Sequence, residues 1–500
     1  MVKTSNKAKT DLLFTDDDWN FDSINVTFEA IKQIADEELG LSYYPIQIEV
    51  ITAEQMLDCY SSVGMPLMYN HWSFGKKFIY NSENYRKGRS GLAYEIVINS
   101  SPCICYIMEE NSMTMQTLVM AHAAFGHNHF FYNNHLFKQW TNADMILDYL
   151  HFAKKYIQQC EELYGTNEVT LTLDAAHSIQ NKSVNYYSRD KRDLKFEADK
   201  LHARQLYEEK KFNPIWSTLP VKPGDKKDVE TNDIVGEDSL ENLFLPQENI
   251  MYFLEKHSPI LPEWKREILH IVRNIAQYFY PQQQTQLMNE GCACYCHYYI
   301  LNRLFDKGLI SEGNMLEFLT SHTNVLTQPD FDSPYYSGLN PYKMGFSMMM
   351  DIERICNEPT EEDYQWFPDF AGNKDPINVL KDAWVNYRDE SFVLQFLSPH
   401  LIRELKLFAI NDNKANNFQT VFAIHNEQGY REIRQLLAEQ YTLSKSDVNI
   451  QIAKVDLAGD RKLTLHHFMQ NDIKLDDTSA KKVLKNIEYL WGYEVEIIDV

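Results

Sequence analysis

Leu118–Phe131 reads LVMAHAAFGHNHFF and places His122, His127 and His129 within eight residues of one another. Its counterpart is Met288–Tyr299, MNEGCACYCHYY, where Glu290 and His297 stand seven apart, as His122 and His129 do. Seven residues is almost two turns of α-helix, so in helices each pair projects from one stripe. Two helices facing each other with imidazole and carboxylate donors make an interhelical metal site, because a borderline cation takes nitrogen and oxygen ligands converging from rigid elements. A hydrogen-bonded core explains any one of these histidines. The set of His122, His127, His129, Glu290 and His297 is better explained by a shared ion, since each buried polar group would otherwise need a partner of its own. The expected cofactor is a divalent transition metal such as zinc.

Upstream, Leu92–Asn99 and Cys103–Met108 are rich in apolar and β-branched residues and flank Ser100, Ser101 and Pro102, which predicts a β-hairpin. Asn111 or Ser112 then caps a helix running into the histidines. A strand leading directly into a histidine-bearing helix is similar to the core of zinc metallopeptidases, so a zincin-like core is one expectation. The motif itself departs from HExxH: Ala123 stands where the general base would be, and His122 and His127 are five residues apart. Both can reach one ion only if Gly126 loosens the helix or His127 lies just past its end. Glu109 and Glu110, after the second strand, are the candidate catalytic base; an acidic pair near a helix N-terminus is the structural alternative.

The 500 residues carry 44% hydrophobic side chains and a formal charge of -23. That length predicts a main domain and a smaller second one, and that charge argues against nucleic acid or an anionic membrane as a partner. No apolar run matches a membrane span and the N-terminus lacks a signal-peptide core, so a cytoplasmic protein with its eight cysteines reduced is expected. Lys76, Lys77, Arg86, Lys87 and Arg89 form the one basic cluster, read as a solvated face or a contact for an anionic group.

The fold class expected is mainly α with a small hairpin or sheet, followed by an α+β C-terminal domain. Helices are predicted from Phe21 to near Gly40, from Thr52, over Asn142–Leu163, around Asp174–Asn185, over Pro262–Phe279, from Gln286, and over Tyr342–Cys356. Ile46–Ile51 alternates as a strand, and the stretch from Gly64 to Gly75 reads as an aromatic, packed-down loop. Residues 214–242 read as a surface loop joining two halves of one domain, since the paired metal candidates lie on both sides of it. The texture changes near residue 403, so the expected domains are 1–402, holding the metal candidates, and 403–500, suited to docking or regulation.

AHAAFGHNHFFYNN, QLMNEGCACYCHYYILN, GLNPYKMGFSMMMDIERICNEPTEED and RDESFVLQFLSP, in that order, resemble the family of stage V sporulation protein R, the SpoVR-like proteins. The resemblance runs from about Trp19 to Phe408. It implies a bacterial protein linked to spore cortex formation or, outside spore formers, to stress physiology, with a serine protein kinase of the PrkA type and a von Willebrand factor A domain protein as partners. Cys292 and Cys296 stand where the family pattern has aromatic residues, while Glu290 and His297 keep their places. Two functions are therefore expected in competition: a metal-dependent hydrolase of the peptidase or amidase kind, and a non-catalytic regulatory partner of the kinase system. A carboxylate-bridged redox site is weaker, with Glu290 its one confident carboxylate.

Overall fold

The computed structural model describes residues 12–62, 64–65, 68–87, 95–186, 245–329, 333–408, 410–411, 420–421, 426–456, 459–469 and 473–500. The loop expected over 214–242 lies outside them. Helices dominate, accompanied by small sheets. The chain forms two compact units, Met1–Gly165 with Gln277–Ser446, and Thr166–Ala276 with Asp447–Val500. The expected boundary at 402/403 falls inside the first unit. There the helix Glu427–Gln440 is tied down by Arg434, whose guanidinium donates to the carbonyls of Leu397 and Leu394 at the end of the helix Asp389–Phe396.

In the first unit, local chemistry sets the elements. Asn20 caps the helix Phe21–Glu37 and Thr52 caps Ala53–Ser61, each in a reciprocal capping box that satisfies otherwise unpaired N–H groups. Strands β1 (Ile46–Ile51), β2 (Glu95–Ile98) and β3 (Cys103–Met108) form a sheet with β3 in the middle, parallel to β1 and antiparallel to β2. The hairpin predicted between β2 and β3 is present, with Glu95 opposite Ile107 and Ile98 opposite Ile104. A helix replaces part of the expected aromatic loop: Trp72–Arg86 begins where His71 turns back to cap Ser73. None of its side chains is buried, which is why no apolar period marks it.

Behind the sheet, the histidine helix runs as α-helix over Met113–Val119, π-helix over Met120–His127 and α-helix again over Asn128–Asn133. It packs on the glutamate helix, Gln286–Asp306, and both are buried in one apolar core with the helix Pro341–Asn357. All eight cysteines are buried and none forms a disulfide.

The second unit pairs strands Asn449–Val455 and Leu463–Phe468 antiparallel and adds Val495–Asp499 parallel to the latter. Its helices Thr166–Ser178 and Asp477–Trp491 meet through Lys265, which bonds both Glu168 and Tyr489. Among the described residues, no helix is long and apolar enough to cross a membrane.

Candidate metal centre

Five residues along an α-helix turn a side chain about 140° away from its starting direction. The π-helix removes that mismatch, because i→i+5 hydrogen bonding brings residues five apart back onto one face. His122 and His127 are accordingly neighbours, their ring centroids 4.6 Å apart and nearly perpendicular. Gly126 lets the widened helix approach its partner: a Cβ there would lie 2.6 Å from the Cα of Ala293. On the other side of the glutamate helix, a Cβ on Gly291 would lie 2.7 Å from the carbonyl carbon of Gly345, and one on Gly345 would overlap the Leu287 carbonyl oxygen. Gly126→Ala is therefore expected to cost about 1–3 kcal/mol, as overpacking does, and to lower the thermal unfolding midpoint, whereas the exposed Gly75→Ala should not.

The glutamate helix is fixed at its start by a residue far along the chain. Asp389 accepts from the backbone N–H of Leu287 and of Met288, both at 2.9 Å, where the helix dipole favours a carboxylate. Burial nonetheless pushes the Asp389 carboxyl up to about 7. One turn on, Asn289 Oδ1 lies 3.0 Å from His127 Nδ1, Glu290 projects between the two imidazoles, and Cys294 and His297 follow on the same side.

Around Glu290 the geometry is specific. Its Oε2 lies 3.6 Å from His127 Nε2 and 3.8 Å from His122 Nε2, and no hydrogen-bond donor reaches that buried oxygen among the described residues. Glu95, on β2, brings its Oε1 to 3.7 Å from His122 Nε2. The opposite nitrogen of His122, Nδ1, is 2.9 Å from His297 Nδ1, and His297 Nε2 is 2.8 Å from His322 Nδ1. His122 thus turns one nitrogen to the carboxylates and the other to a chain of imidazoles.

Burial lowers the proton affinity of His122, but Cys294, Glu290 and Glu95 outweigh it and hold His122 well above the ordinary imidazole range. Burial pushes His127 down to about 4, and His322 likewise, with His122 and Lys343 adding to the effect on His322. His297 is also driven well down, by burial and then by its imidazole neighbours. Burial raises the Glu290 carboxyl, yet His127 and His122 outweigh it and the net direction is down. Glu95 is raised, by burial first.

The residues present fit a divalent ion. Two ligands at about 2.0–2.1 Å from a tetrahedral centre lie about 3.3–3.4 Å apart, close to the separations seen between Glu290 Oε2 and the two Nε2 atoms. An oxygen buried without a donor, facing two imidazole nitrogens just beyond hydrogen-bond reach, is what a shared cation would satisfy. Ligand atoms lie within 4.8 Å of one another in two groupings, Glu95 with His122 and His127, and His122 with Cys294 and His297.

Of the residues singled out in the sequence, His122, His127, Glu290 and His297 converge. His129 does not join them: buried and pushed down to about 4, it accepts from the Ser42 backbone N–H at 3.1 Å and its ring stands edge-on to Trp384. Glu109 and Glu110 occupy an exposed turn after β3 and belong to neither group of ligand atoms. The sequence reading missed Glu95, Asn289 and His322. A lone acid in the apolar strand Glu95–Ile98, and a histidine on the buried stripe of Met315 and Phe318, were the available signals.

A cavity of about 520 Å³ opens beside the cluster, with Glu95, His122, His297, His322 and Tyr342 in its lining. Two family models match the chain, described as SpoVR like protein over residues 18–446 and SpoVR-like C-terminal domain over residues 448–500. A protein of Escherichia coli strain K12, described as uncharacterized protein YcgB, is 52% identical over 479 residues, covering 96% of this chain and 92% of that protein. No solved structure matches.

Proposed function

We propose that this chain, which belongs to the SpoVR-like protein family over almost its whole length, is a metal-dependent hydrolase of amide bonds. The observation that carries this reading is the donor-free Glu290 Oε2 facing His122 Nε2 and His127 Nε2 beside a cavity. His122, His127 and Glu290 would hold the ion, a two-histidine, one-glutamate set of which His122 lines the cavity. When bound, such an ion polarises a carbonyl and makes a nucleophile of its water near neutral pH.

The remaining residues supply proton handling and orientation. Glu95, at the cavity wall and raised by burial, takes a proton on its carboxylate as general base, the role Ala123 cannot fill. His297 bonds His122 Nδ1 and so fixes which nitrogen faces the cluster, and His322 holds His297 in turn. His297 is then an orienting residue behind the ligands.

Elemental analysis of protein purified without chelator or histidine tag tests the reading. Near-stoichiometric transition metal, absent from a still-folded His122→Ala plus Glu290→Ala variant, is expected; metal-free wild type would overturn it. The regulatory reading, with a structural metal and a PrkA-type kinase and von Willebrand factor A protein as partners, is favoured by Ala123 at the position of the missing base. It would be supported instead if metal is present but the phenotype, in sporulation or stress, follows removal of the C-terminal segment alone.

A further inference from the structure

The cavity beside the cluster is sided, and its chemistry is uneven. Met115 and Leu118, one turn apart on the histidine helix, form an apolar wall and each is only 9% exposed. Val325 faces the same space from the end of the helix Glu312–Val325, where Ser321 and Asn324 add neutral polar groups. The rim is preformed: Asn340 donates to the Val325 carbonyl at 2.8 Å and the Thr327 carbonyl at 3.1 Å, and its own N–H donates to Gln328 Oε1 at 2.7 Å.

Charge is distributed as unevenly as polarity. Among the described residues, the lining contains no lysine or arginine, and its one carboxylate is Glu95. Lys343 lowers the proton affinity of His322 but does not line the cavity. A carboxylate or phosphate seated against the apolar wall, away from the ion, would find Glu95 and no lysine or arginine among the described lining residues to pair with it. The volume suits a few peptide residues rather than a folded protein.

Resting on the hydrolase reading above, we infer that the site takes peptide amides in which the residue contributing the attacked carbonyl has an uncharged aliphatic side chain, seated against Met115, Leu118 and Val325. Burying a leucyl side chain against such a wall is worth at least about tenfold in affinity. An acidic side chain in its place loses that gain and adds repulsion from Glu95.

The test uses the metal-loaded full chain and three hydroxamates, which engage a metal alike and differ in what the α-carbon carries: acetohydroxamic acid, N-acetyl-leucine hydroxamate and N-acetyl-aspartate α-hydroxamate. The leucyl compound is expected to bind at least about tenfold tighter than acetohydroxamic acid, and the aspartyl compound more weakly than either. Val325→Lys, at a 39% exposed rim position, should weaken the leucyl compound and tighten the aspartyl compound several-fold. Equal binding of all three to metal-loaded protein overturns the inference and leaves the metal reading standing. Failure of acetohydroxamic acid itself to bind overturns both.

Discussion

Replacing Glu95 by glutamine is expected to lower turnover about 10²–10⁴-fold while the metal content stays that of the wild type. The two readouts separate the roles a carboxylate can play at this site. Glu95 reaches His122 Nε2 at 3.7 Å, slightly closer than Glu290 at 3.8 Å, so distance alone would let it serve as ligand or as base. Its surroundings differ from those of Glu290. Glu290 faces two imidazoles that stabilise its charge, whereas Glu95 faces one and is raised by burial. A carboxyl with raised proton affinity is matched to taking a proton near neutral pH, and a charged one to holding a cation. Glutamine keeps the size of the side chain and removes its basicity, so a base is lost outright. The check is turnover of the peptide amide the wild type cleaves fastest, together with elemental analysis of both proteins. Loss of metal in Glu95→Gln would make Glu95 a ligand; unchanged turnover with metal retained would remove it from the chemistry.

What was legible in the sequence follows from the range of the interaction that decides each feature. Caps at Asn20, Thr52 and Ser112 and the hairpin at Pro102 are all set by neighbours within a few residues. The convergence of Glu290 and His297 was readable from their seven-residue period, whereas the same period from His122 misplaced His129, which bonds Ser42 instead. The five-residue interval to His127 was readable only as a need for a loosened helix. Its solution, a π-helix pressed on Ala293 through Gly126, depends on a contact with a distant segment. Glu95 was hidden for the same reason: nothing in a strand of four residues announces the helix behind it. Asp389 sits in the segment RDESFVLQFLSP, yet its partners are the N–H groups of Leu287 and Met288, which no periodicity connects to it. The helix Trp72–Arg86 escaped because it buries no side chain, so the usual apolar signature is missing.

Metal affinity is expected to fall about tenfold for each unit of acidification below the His122 pKa, because a ligand nitrogen must lose its proton before it can bind. His122 is the residue that sets this slope. It is held well above the ordinary imidazole range, so near neutral pH it carries a proton that the ion displaces. His127, pushed down to about 4, is already neutral there, and Glu290, shifted downward, is already charged, so neither adds to the slope until the solution is distinctly acid. Glu95, raised by burial, can add a second proton, and Glu95→Gln should return the slope to one. Stability carries the opposite sign in the metal-free protein. A histidine whose folded pKa is raised contributes stability that is present at low pH and lost as pH rises through that value. Metal-free protein therefore loses this contribution on alkalinisation, while metal-loaded protein gains from tighter binding. The gap between their unfolding midpoints should widen from mildly acid to mildly alkaline pH. Chelator competition across that range measures the affinity slope and thermal unfolding measures the gap. A flat affinity profile would show that His122 Nε2 surrenders no proton and is not a ligand.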